Sequence, residues 1–188
     1  MKLKDCVNIR TGLILSRKLS EEDFNYEYKS INLTSVYGGV ISKETLDVFR
    51  TKEELKEDYL TKEGDIIVRL TRPYTAVLIT KEDENIVISS NFLKLTCDKE
   101  KVLPQYLYWL LNTERIKHKI FQNSVSNVLD AITANTYGNL LLNLVPIDKQ
   151  RIIGNLYLLT IKENELISRL QEEKQKLNNA IIRKINEN

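Results

Sequence analysis

A chain of 188 residues, 42% hydrophobic and 29% charged, holds enough apolar material for one domain with an appendage, which excludes a disordered polymer or a fibre. A net charge of +2 and a pI near 8.4 exclude a protein that coats a polyanion with its whole surface; a nucleic-acid role requires cations gathered on one face. No apolar run approaches the ~18 residues that span a bilayer, and Met1-Lys2-Leu3-Lys4-Asp5 opens without an apolar leader, so a cytoplasmic protein is expected.

In chain order, Gly38-Gly39 is a flexible turn followed by Lys43, Arg50 and Lys52. Thr51 and Glu54 have capping-box spacing, in which each side chain accepts from the other's backbone N–H, and predict a helix through Leu55, Asp58 and Tyr59. Gly64-Asp65 before Ile66-Ile67-Val68-Arg69-Leu70 reads as a turn feeding a buried strand. Ala76-Val77-Leu78-Ile79 and Ile86-Val87-Ile88 are β-rich runs split by the polar turn Lys81-Glu82-Asp83-Glu84-Asn85, and Phe92-Leu93-Lys94-Leu95 is a further strand. Pro104 suits the first turn of a helix carrying Tyr106, Leu107, Trp109, Leu110 and Leu111. A second helix, Thr113 to Phe121, places Ile116, Ile120 and Phe121 on one face.

The texture changes at Pro146. From Asp148, a fitting N-cap, to Asn186 there is no proline and one glycine, Gly154. Ile152, Leu156, Leu159, Leu166, Leu170 and Leu177 follow alternating four- and three-residue spacing, Glu163 and Glu173 fill two seam positions, and Ile181 extends the stripe. This predicts one amphipathic helix of roughly 55 Å. So long a helix cannot bury its whole stripe on the preceding domain, so its far end needs another copy or a partner. A two-helix hairpin broken near Asn178-Asn179 is the alternative. The fold class is α+β: one mixed α/β domain with a small β-sheet and flanking helices over residues 1–146, then one long helix over residues 147–188.

Cys6 and Cys97 form no CxxC pair and lie in apolar surroundings, which points to buried thiols and no disulfide. His118 is the single histidine, so no metal site is expected, and no cofactor. An adenine methyltransferase needs a Pro-Pro box and a glycine-rich cofactor loop. The sequence has neither Pro-Pro nor Gly-x-Gly, so independent catalysis is not expected. Glu172-Glu173-Lys174, whose composition suits a nuclease, falls on the long helix as exposed surface.

Reading DNA requires donors and acceptors that reach base edges: Arg for guanine O6/N7, amides for adenine. Arg69, Arg72 and Tyr74 place two guanidiniums and an aromatic around the rigid Pro73; an ion pair for Arg69 and a core position for Tyr74 fit equally. Arg115-Ile116-Lys117-His118-Lys119 runs into Gln122-Asn123-Ser124-Val125-Ser126-Asn127. A basic helix end thus precedes uncharged hydrogen-bonding side chains, a pattern a solvated loop also shows. Lys43, Arg50 and Lys52 are weaker candidates. His118 suits a phosphate contact or plain surface.

Three stretches, in order, resemble the specificity subunits of type I restriction–modification systems. Leu3-Lys4-Asp5-Cys6-Val7-Asn8-Ile9-Arg10-Thr11-Gly12 is similar to the family's opening. Lys62-Glu63-Gly64-Asp65-Ile66-Ile67-Val68 resembles its Gly-Asp strand, followed by Ser89-Ser90-Asn91-Phe92. Leu144-Val145-Pro146-Ile147-Asp148-Lys149-Gln150-Arg151-Ile152-Ile153 resembles the start of its conserved helix. Departures are the single Pro146 and Asp148-Lys149 before Gln150, where the family often has more prolines and an acidic residue.

The resemblance implies a target-recognition domain and a spacer helix, one of each where a typical subunit has two: a half-size subunit or a fragment. It implies a non-catalytic protein that binds double-stranded DNA, with the stretch holding Lys117, Lys119, Gln122, Asn123, Ser124 and Asn127 in the family's DNA-facing place, beside Arg69, Arg72 and Tyr74 chosen by their chemistry. It further implies an antiparallel homodimer through Leu156, Leu159, Leu166, Leu170, Leu177 and Ile181, on which methyltransferase subunits and, through them, restriction subunits assemble. A coiled-coil adaptor or restriction-modulating protein that reads no bases is the alternative.

Overall fold

Alternation along the strands, and its absence, explain the sheets of this computed structural model, which describes residues 1–20, 22–124 and 132–187. In chain order come β1 (Val7–Thr11), β2 (Tyr26–Ile31), β3 (Val36–Tyr37), β4 (Val40–Ile41), β5 (Asp47–Thr51), β6 (Ile66–Arg69), β7 (Ala76–Leu78), β8 (Val87–Ile88) and β9 (Phe92–Cys97). Four helices follow: α1 (Pro104–Asn112), α2 (Glu114–Ser124), α3 (Ala134–Gly138) and α4 (Ile147–Asn186). An antiparallel sheet runs β1-β9-β6-β7, a smaller one runs β5-β2-β8 with β2 and β8 parallel, and β3-β4 is a hairpin. The architecture is α+β, as expected.

β6 lacks alternation because both its faces are covered. Ile66 and Val68 join Leu93 and Leu95 of β9 and Tyr106, Leu107 and Leu111 of α1 in the main core. Ile67 points the other way, into a cluster with Val77, Ile88 and Phe92. Each such aliphatic chain contributes about 2 kcal/mol by leaving water.

The motif stretches are packing devices. A Cβ on Gly12 would lie 2.1 Å from the Ser89 carbonyl oxygen. Ser90 N–H donates to Leu13 O at 2.8 Å, and Gly12 N–H to Phe92 O at 3.1 Å. The opening is thus locked onto Ser89-Ser90-Asn91-Phe92. Gly64 has φ +86°, a turn conformation that suits glycine. Asp65 behind it is buried and accepts from Thr96 Oγ1 at 2.7 Å and Lys62 N–H at 3.1 Å. It also pairs at 3.1 Å with the buried Lys94 ammonium, which donates to Leu60 O at 2.7 Å. Removing either charge would strand the other out of water.

Gln150, 1% exposed, fastens α4 to the start of α1. Its Oε1 accepts from Leu103 N–H at 3.0 Å, and its Nε2 donates to Val145 O at 2.8 Å and Lys101 O at 3.2 Å. One turn later, a Cβ on Gly154 would meet Gln105 Cγ at 2.3 Å and Tyr106 N at 2.8 Å. Only glycine lets α4 approach α1 so closely.

Two expectations are corrected, and the one long helix stands against its hairpin alternative. Thr51 does not cap a helix: it closes β5 opposite Tyr26, its hydroxyl donates to Glu53 O at 2.7 Å, and only a 3-10 turn, Glu57–Tyr59, follows. Strand pairing outweighs the local capping pattern. The long helix starts at Ile147 with Pro146 at the N-cap position, leaving Asp148 in the first turn, where its charge suits the helix dipole. The helix continues unbroken past Asn178-Asn179 for 40 residues, about 60 Å.

Cys6 and Cys97 are free thiols; burial raises both, Cys97 to about 12. Among the described residues, no helix is long and apolar enough to cross a membrane.

Candidate nucleic-acid interface

The hairpin β3-β4 turns through Gly38 and Gly39, with φ +61° and +86°. Successive positive φ values are what a type I′ two-residue hairpin turn requires. The tip is held from behind. Tyr108 of α1, buried, donates its hydroxyl hydrogen to Gly39 O at 2.8 Å, and its ring meets the Tyr157 ring of α4 edge-on at 4.9 Å. Burial and the neighbouring Tyr157 hold the Tyr108 phenol well above its usual range, so the donor stays protonated. Arg69 braces the other side, donating to Leu33 O at 3.2 Å and Thr71 Oγ1 at 3.1 Å.

Between this hairpin, the turn after β6 and α2 lies an open groove of about 660 Å³. Arg69, Pro73, Thr75, Asn112, Lys117 and Tyr157 line it together with residues of the hairpin, Tyr37 among them, and among the described residues no carboxylate does. Asn112 faces β7 like a neighbouring strand, accepting from Ala76 N–H at 3.1 Å and donating to Ala76 O at 2.9 Å. The groove is therefore rigid on the α1 side, and its described lining carries two cations, Arg69 and Lys117.

The sequence candidates distribute unevenly around it. Arg69 and Lys117, distant in sequence, line the same groove. Lys117 pairs at 3.8 Å with Glu114, which is not part of the lining. Arg72 is exposed and stacks its guanidinium on the Phe121 ring of α2, 4.0 Å from the centroid, which joins the two candidate stretches directly. Among the described residues, no carboxylate pairs with Arg69 or Arg72.

Tyr74 is a correction: at 3% exposure it belongs to the main core and offers no ring to a sugar or phosphate. Its φ of +54° turns the chain after Pro73 and drives the side chain inward. Lys119 is half-exposed; Gln122 is exposed with Nε2 3.0 Å from His118 Nε2, and shares a helix face with His118 and Arg115, turned away from Lys117. Asn123 and Ser124 are the last residues of α2. Asn127 lies outside the described residues.

The weaker candidates are neutralised locally. Lys43 pairs with Glu82 at 3.2 Å, Arg50 with Glu27 at 2.9 Å and Lys52 with Asp23 at 2.6 Å.

Tyr37 was missed by the sequence reading. It is 84% exposed, more than any other described large apolar side chain. Tyr37-Gly38-Gly39 between valines carries the hairpin signature that locates it.

The second surface is α4. Gln150, Gly154 and Tyr157 face the domain. Ile152, Leu156 and Leu159 each follow one of these by two residues, about 200° round the helix, and so point away from it. Leu156 and Leu159 are 64% and 68% exposed, and Leu166, Leu170, Leu177 and Ile181 are also open.

Comparison with known proteins bears on both surfaces. Residues 1–155 match the family model of the type I restriction modification DNA specificity domain. No curated protein matches the chain by sequence. Among solved structures, a chain from a study of complex assembly and conformational transition in the type I R-M system superposes with TM-score 0.66 at 18% identity, over 94% of this chain and 45% of that one. The HsdS subunit of Thermoanaerobacter tengcongensis gives TM-score 0.62 at 17% identity, over 94% and 45%. The S subunit of the M. genitalium type I restriction-modification system gives 0.53 at 12%, over 87% and 38%. These likenesses show the fold, and the chain spans less than half the length of each. Because the family match takes in the whole head and the start of α4, this chain belongs to the type I restriction–modification DNA specificity domain family.

Proposed function

We propose that the chain is a half-size specificity subunit: its head, residues 1–146, reads one half of a bipartite DNA site, and α4 pairs antiparallel with a second copy. The head holds the duplex by the cationic groove of Arg69 and Lys117, with Arg72 beside it, and Lys119 and the Gln122–Asn127 stretch add phosphate and amide contacts from another face of α2. Methylation and cleavage belong to methyltransferase and restriction subunits that assemble on the paired helices, in the cytoplasm.

The observation that carries this reading is the apolar stripe facing away from the head and running past its edge. From Lys162 to Asn186 the helix extends about 38 Å, close to one turn of B-DNA. Two identical heads at the ends of such a pair would read an inverted repeat.

Sedimentation of the purified chain, together with duplex binding in the presence of methyltransferase subunits across a salt series, tests it. A dimer whose log affinity falls steeply with log salt is expected. A monomer, or an assembly indifferent to duplex DNA, would overturn it, the latter in favour of an adaptor that reads no bases.

A further inference from the structure

A tyrosine ring left almost fully in water is ordinary on a loose loop. Tyr37 is not on a loose loop. The turn beside it is fixed by two glycines in the left-handed region and by the Tyr108 hydrogen bond to Gly39 O. Its base is closed by Ser42 N–H to Ser35 O at 2.9 Å, and Arg69 braces Leu33. The ordering that binding would otherwise demand is already done, and two side-chain torsions are all the ring has left to lose. The ring stands on the rim of a groove that offers Arg69 and Lys117 and, among the described residues, no carboxylate.

We propose that Tyr37 contacts DNA in a different way from the arginines and lysines: its ring lies against a deoxyribose or an exposed base edge of the duplex that Arg69 and Lys117 hold. This rests on the DNA-reading proposal above. Cations on phosphates release counterions, so their contribution fades with salt. An aromatic face on a sugar or base releases none, so its contribution persists. Tyr37 thus supplies the salt-independent share of the head's affinity, and it does so at a fixed place in the groove.

The test uses the full chain with methyltransferase subunits, and a duplex enriched from a randomised library by the wild-type assembly. Tyr37→Ala is expected to weaken binding about tenfold, with the slope of log affinity against log salt unchanged, and Tyr37→Phe to bind close to wild type. Lys117→Gln should instead flatten that slope by about one. Thermal melting of Tyr37→Ala should match wild type, which separates lost contact from lost fold.

Wild-type affinity in Tyr37→Ala, or a loss accompanied by a flatter slope, overturns the role of the ring and leaves DNA reading standing. So does loss of methyltransferase recruitment without DNA, which would assign the ring to a protein partner. Failure of the wild-type assembly to enrich any duplex removes the DNA-reading proposal itself.

Discussion

The two ends of α4 are made of the same residue types and meet opposite fates. Up to Ile161, one face is pressed into the head through Gln150, Ile153, Gly154, Tyr157 and Ile161. From Lys162 to Glu187 every described residue is exposed, leucines and isoleucines included. Hydrophobicity alone does not decide burial; a matching surface does, and here α1 supplies it only as far as its own length reaches. The proximal part obeys the geometry of one partner helix, with a glycine where backbones meet. The distal part keeps the regular four-three spacing of a seam that faces another helix.

That contrast can be broken at either end. The largest effect is expected from Gly154→Val. Its Cβ would sit within 3 Å of α1 backbone atoms, so denaturant titration should show a loss of about 3 kcal/mol; a wild-type midpoint would mean the helices are not in close contact. Next, Leu166→Asp with Leu170→Asp should weaken self-association about a hundredfold or more, each leucine contributing about 2 kcal/mol when buried between copies. Melting of the head should hardly move, and sedimentation reads both outcomes at once. A chain that dimerises undisturbed would place its contacts elsewhere.

Gln150→Ala should cost about 2 kcal/mol, because Leu103 N–H and Val145 O lose a buried partner, and no change would deny its role as fastener. A smaller, pH-dependent effect comes from Cys97, whose thiol is pushed by burial from 9.0 up to about 12. The unfolded chain gives up this proton first. Stability is therefore fully present below pH 9 and declines as pH rises towards 12. Cys97→Ala should flatten that decline in denaturant titrations at rising pH, and an unchanged pH profile would dismiss the thiol as its source. The smallest effect is expected at Lys52→Gln: with Lys52 already paired to Asp23, duplex affinity should stay within about twofold of wild type. A larger drop would move the DNA face to β5.

Much of this layout was legible in the sequence where pattern and environment agree. β6, β7, β9, α1, α2 and α4 announce themselves because their apolar residues are local, and β6, α1 and α4 also carry Gly or Pro at their starts. β1, β2 and β5 do not. Tyr26-Glu27-Tyr28-Lys29 alternates, yet mixes aromatics with charges on a sheet that leaves one face largely open, and Thr51 imitates a helix start. The groove was half legible: Arg69 and Lys117 could be chosen by type, but only the fold brings them together. Tyr74 misled because composition cannot tell an exposed tyrosine after a proline from one turned inward by its backbone. Tyr37 escaped because the signature around Gly38-Gly39 marks a turn, while the Tyr108 hydrogen bond that fixes the turn comes from far along the chain.

The Tyr157–Tyr108–Gly39 chain has a consequence for how such a protein can vary. It couples the rod to the hairpin tip with little play, so a tilt of α4 at Tyr157 is transmitted to the turn that carries Tyr37. An inserted residue beyond Ile161 swings the distal seam by about 100° and lengthens the rod by about 1.5 Å, leaving the grip on the tip alone. The same insertion before Tyr157 disturbs span and grip together. Length can change without disturbing the tip only in the outer part of the rod, and there only by steps of about seven residues that return the seam to its own face.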